Sequence, residues 1–126
     1  MSDILKTMIK IWDMGTIDWL GYDNLERYSF HHLIKRSDGG DKIISNGAIL
    51  HQNSSHPYIH TIEYYDLDKY IFLNNMLKKI NEQKYMPTKE QLEQIRYVLL
   101  EFQNEYDGKV SSRGKSIIKK EYIIDR

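Results

Sequence analysis

The sequence predicts an α+β chain. Three observations lead there. An apolar stripe of helical spacing opens the chain, two short β-rich runs flank a polar loop with paired glycines, and two longer helical stripes follow. Ile4, Leu5, Met8, Ile9 and Trp12 line one face of a helix over residues 3–12, with Ser2 placed to cap it. Met14 to Asn24, punctuated by Gly15, Gly21, Asp23 and Asn24, reads as loop and turn. Glu26 to Ile34 is rich in aromatic and branched residues and reads as a strand. The RSDGGD run loops out. Ile43 to Leu50 is a second strand, interrupted by the turn signal Asn46-Gly47.

Ser54-Ser55 followed by Pro57 opens a short helix from about Ser55 to Glu63. Asp66 or Asp68 caps the next, which carries Tyr70, Leu73, Leu77 and Ile80 on one face and ends near Gln83. Pro87-Thr88 restarts the pattern, Leu92, Ile95, Leu99 and Phe102 form its stripe, and Gly108 ends it. The two C-terminal helices are expected to form a hairpin that packs on the β-β-α centre.

At 126 residues the chain has the size of one domain. Within it, residues 26–63 hold the candidate motif, 66–107 a helical extension and 108–126 a basic tail. Apolar residues at 40% and charged residues at 29% are a globular rather than a disordered composition. No apolar run is long enough to span a membrane, and the N-terminus lacks a signal-peptide pattern. With no cysteine there is neither a disulfide framework nor a thiolate zinc site, and the expected location is the cytoplasm. Eighteen basic and eighteen acidic residues cancel, which weighs mildly against a strong nucleic-acid binder. The basic residues are nonetheless concentrated in the tail, at Lys109, Arg113, Lys115, Lys119, Lys120 and Arg126.

All five histidines lie between positions 31 and 60. His56 and His60 are four apart on a helix, so both rings project from one face and can reach one ion. His31 and His32 are neighbours on a strand and point to opposite faces, so one can ligate while the other stands beside it as a base. Asn46 offers an amide oxygen that can orient a histidine ring. Taken singly, these residues have ordinary readings as exposed helix positions and a plain turn. His51 reads as a surface or groove residue, Lys78 and Lys79 as a solvated face, and Tyr64-Tyr65 as packing.

Taken together, the run FHHLIKRSDGGDKIISNGAILHQNSSHPYIH, Phe30 to His60, resembles the HNH endonuclease motif, the ββα-metal or His-Me finger fold, in the spacing of its colicin-type branch. It covers about a quarter of the chain. The resemblance implies that His31, His56 and His60 hold one divalent cation, that His32 deprotonates the attacking water, and that Asn46 fixes the orientation of His32. It implies hydrolysis of DNA phosphodiester bonds to 5′-phosphate and 3′-hydroxyl ends, with Lys35, Arg36, Lys42 and the tail meeting the DNA backbone. Three neutral imidazoles suit Zn²⁺, Ni²⁺ or Co²⁺, while Mn²⁺ and Mg²⁺ have precedent in the family. Many family members carry aspartate at the position of His31, and the family's frequent zinc-binding cysteine pairs are absent here. Two other readings stand beside the enzyme, which by its composition would suit a bacterium or phage. One is a catalytically silent nucleic-acid-binding module on the same scaffold. The other is a protein-interaction factor such as a phage-encoded inhibitor.

Overall fold

The computed structural model of the chain describes residues 2–106. Within them, strand and helix periodicities produce four helices and one two-stranded antiparallel sheet, an α+β arrangement. The order is α1 (Asp3–Ile11), β1 (Tyr28–His32), β2 (Gly47–His51), α2 (Ser55–Tyr65), α3 (Leu67–Gln83) and α4 (Lys89–Tyr106). The expected Gly108 stop and the basic tail lie outside the described residues.

The strand pair forms the centre. Phe30 faces Ile49, His31 faces Ala48 and His32 faces Gly47. Every residue of β2 is buried, which explains why Ala48, Ile49 and Leu50 run apolar without alternation. Gly47 is a steric requirement, because a Cβ there would lie 2.3 Å from the Phe30 ring. The second strand is shorter than the expected 43–50, since Ile44–Asn46 forms a 3-10 turn. Asn81 on α3 stabilises that turn by donating to the carbonyls of Ile44 (2.6 Å) and Gly47 (2.7 Å).

α1 is capped by the Ser2 hydroxyl, which accepts the Leu5 N–H at 3.3 Å, and it buries Leu5 and Met8 against both strands. The loop that follows wraps the buried carboxylate of Asp18. Asp18 accepts the N–H groups of Leu20 and Tyr22 at 3.0 Å, that of His51 at 3.2 Å, and the Ser55 hydroxyl. This loop covers the end of β2, and it overturns the surface reading of His51. That ring is fully buried, donates from Nε2 to the Tyr22 carbonyl at 3.0 Å, and stacks on Tyr28.

α2 runs two residues beyond the expected Glu63, to Tyr65. The Ser54 hydroxyl, expected to cap α2, instead donates to Glu26 at 2.9 Å. Asp66 alone separates α2 from α3. Its carboxylate caps α3 by accepting the Lys69 N–H (3.3 Å) and also receives Lys69 Nζ (2.9 Å) and the Tyr106 hydroxyl (3.3 Å). α4 opens with a reciprocal capping box. The Thr88 hydroxyl accepts the Gln91 N–H at 3.1 Å and Gln91 Oε1 accepts the Thr88 N–H at 2.9 Å. Ile95, Leu99 and Phe102 are fully buried, and Phe102 meets the edge of Tyr58 on α2 at 5.9 Å. No helix among the described residues is long and apolar enough to cross a membrane.

Asp66 yields a pH-dependent expectation. Burial raises its carboxyl, but the bonds and charge of Lys69 and the Tyr106 hydroxyl outweigh that and hold it below the usual range. A carboxyl depressed in the folded state stabilises fully above the unfolded value of about 3.9 and loses that stabilisation as pH falls through the folded value. Asp66→Ala is expected to cost about 1–2 kcal/mol at pH 7. Urea denaturation should show that difference shrinking by about pH 3.

Candidate metal centre

Alternation along β1 puts Ser29 and His31 on one face and Phe30 and His32 on the other. α2 brings His56 and His60, one turn apart, over the face that carries His31. One ring nitrogen from each of His31, His56 and His60 lies within 4.8 Å of the other two. The ring centroids are 5.2–5.4 Å apart.

In each ring one nitrogen is occupied by a protein partner and the other is bare. His56 Nδ1 lies 2.6 Å from Ser29 Oγ, whose own hydrogen goes to the Leu50 carbonyl at 3.2 Å. Ser29 therefore accepts from His56 Nδ1–H and leaves the Nε2 lone pair free. His60 Nδ1 donates to Glu63 Oε1 at 3.0 Å, which frees its Nε2. His31 Nε2 is engaged by Asn74 at 2.8 Å, and its Nδ1 is buried with no hydrogen-bond partner. Metal-bound histidines are held in this way, with the second nitrogen fixed by an outer acceptor.

The electrostatics agree. Burial pushes His31 down to about 3 against the Asn74 hydrogen bond, with His56 and His60 adding to the fall. Burial, then repulsion from His60 and His32, pushes His56 down to about 4. Both are neutral near pH 7, the form that ligates. Partial burial raises Glu63, but Lys35 and His60 outweigh it and keep the carboxylate ionised. His31 is 1% exposed whereas His60 is exposed, so the cluster opens to solvent on the His60 side. Three converging imidazoles and a buried unpaired nitrogen form a group that could hold a metal ion.

His32 sits half-buried on the other face of β1, edge-on to Phe30 at 4.9 Å. Its Nε2 is buried without a hydrogen-bond partner. Burial, then the charges of Arg36 and Lys42, hold its pKa below the usual histidine value. With Arg27 and Gln52 these residues line a groove of about 560 Å³ along the open edge of β1.

One expected contact is absent. Asn46 does not touch His32. Its Oδ1 accepts the Ile34 N–H at 2.8 Å, and its Nδ2 donates to the carbonyls of Ile34 (3.0 Å) and Asp41 (2.9 Å). The amide is consumed in clasping the loop between the strands. Gly40 belongs to the same clasp, since a Cβ there would lie 1.8 Å from the Ile34 carbonyl oxygen. Lys35, expected at DNA, pairs with Glu63 in this structure, and Arg36 and Lys42 stand in the groove beside His32. Ser29, Glu63, Asn74 and Arg27 complete the site without having been singled out from sequence. Ser29 was in principle legible, two residues before His31 on one strand face, as was Glu63 one turn after His60. Asn74, 43 residues from His31, carries no local signal.

Comparison of the chain with protein-family models, with curated proteins and with solved structures finds no match.

Proposed function

We propose that the chain is an HNH-type endonuclease with a ββα-metal centre, hydrolysing DNA phosphodiester bonds with one divalent cation held by His31, His56 and His60. One observation carries this reading: three imidazoles converge, each with one nitrogen bonded within the protein and the other left bare, next to a fourth histidine whose Nε2 has no partner. A bound cation would supply charge compensation for the scissile phosphate and the departing 3′ oxygen. Arg36 and Lys42, in the groove, bind the phosphate backbone and position it without reading sequence. His32, kept neutral by burial and by those two cations, takes a proton from water as the water oxygen bonds to phosphorus and the P–O3′ bond breaks, and the departing O3′ takes a proton from solvent water. The products carry a 5′ phosphate and a 3′ hydroxyl.

A catalytically silent binding module is favoured by a different observation: among the described residues nothing hydrogen-bonds to His32 to orient it. Cleavage of supercoiled plasmid by metal-stripped protein resupplied singly with Mg²⁺, Mn²⁺, Ni²⁺, Co²⁺ or Zn²⁺ separates the two. Metal-dependent nicking that leaves 5′-phosphate ends is expected with at least one d-block ion. DNA binding without cutting under every metal would replace the enzyme with the silent module.

A further inference from the structure

Asn74 belongs to α3, outside the strand–strand–helix unit that carries the three histidines, yet it reaches the most buried of them. Its amide orientation is set by a second contact. Nδ2 donates to the Leu33 carbonyl at 2.9 Å, so the atom 2.8 Å from His31 Nε2 is the oxygen Oδ1. Leu33 is itself anchored, its N–H donating to the Asn46 carbonyl at 2.9 Å. An amide oxygen only accepts, so His31 Nε2 carries the proton and Nδ1 the lone pair. The opposite tautomer would require Asn74 to flip and abandon Leu33. One turn earlier on α3, Tyr70 packs on the rings of both His31 and His60, with centroids 6.4 and 6.3 Å away.

A buried lone pair with no partner is unfavourable unless a ligand takes it. We propose that Asn74 is a positioning residue of the metal centre, locking His31 in the one tautomer whose Nδ1 is free to bind the cation. The assignment rests on the metal-centre reading and adds to it a residue from a helix beyond the Phe30–His60 run. Its consequence is that metal affinity is set partly by α3, whose Asn74 touches no ion itself.

Long-range proton–nitrogen NMR of the metal-free protein tests the lock apart from any activity. The wild type is expected to show His31 protonated on Nε2 alone, and Asn74→Leu a mixture of tautomers. Zn²⁺ affinity of Asn74→Leu, read by competition with a chelating dye, is expected to fall about 10–100-fold. If that variant does not fold, Asn74→Asp decides. It keeps an acceptor for His31 while dropping the donor to Leu33, and should retain both the tautomer and Zn²⁺ binding. His31 protonated on Nδ1 in the wild type, Asn74→Leu binding Zn²⁺ as the wild type does, or Asn74→Asp losing both properties would overturn the assignment. A wild type with the Nε2–H tautomer that takes up no Zn²⁺ would overturn the metal-centre reading itself, and with it the purpose given to Asn74.

Discussion

His32→Ala is expected to lower DNA cleavage by about 10²–10⁴-fold while leaving metal affinity within about twofold of wild type. The ring points away from His31 across β1 and shares no hydrogen bond with the three clustered histidines, so its removal leaves their geometry intact. It packs edge-on against Phe30 and is half-buried, which limits the structural loss. The effect should fall on kcat, because a base acts on the proton in flight rather than on the bound ground state. His56→Ala makes the contrast, losing metal and cleavage together. Single-turnover kinetics paired with a metal titration distinguish the two. Equal cleavage by His32→Ala would remove His32 from the chemistry.

Asn46→Ala is expected to destabilise the fold by about 2–4 kcal/mol. The side chain is 7% exposed and makes three hydrogen bonds, all to the backbone of the loop that joins the strands. Truncation strips the Ile34 N–H and two carbonyls of their partners and opens a void beside Gly40, whose backbone approaches too closely to Ile34 for any other residue. The loosened loop carries Lys35 and Arg36, so the Lys35–Glu63 pair and the groove should lose definition as well. Denaturant titration reads the stability change, and hydrogen exchange at Ile34 reads the local one. A variant of wild-type stability that nonetheless fails to cut DNA would restore the role expected from sequence, in which Asn46 orients His32.

Periodicity made much of this architecture legible. The stripes Tyr70, Leu73, Leu77, Ile80 and Ile95, Leu99, Phe102 are buried as their spacing required, though Leu92 of the second is only half-buried, and Ser2 and Asp66 cap the helices they precede. The convergence of His31, His56 and His60 was legible for the same reason, from a strand alternation and a helical repeat. Where reading failed, a long-range polar contact had decided. Asn46 looked free to orient a ring, but the loop claimed its amide. His51 looked exposed because nothing local shows that Asp18 and Tyr22 fold a distant loop over the end of β2. Asn74 was invisible for the same reason, since its place beside His31 exists only once α3 has docked.

Titration of the metal-free protein with Zn²⁺, followed by calorimetry and by the imidazole NMR signals, tests the centre itself, on which every chemical step depends. Expected are one ion per chain and shifts at His31, His56 and His60, with buried His51 unmoved. No uptake of Zn²⁺, or uptake that leaves those three rings unchanged, would contradict the metal centre and the nuclease proposed from it.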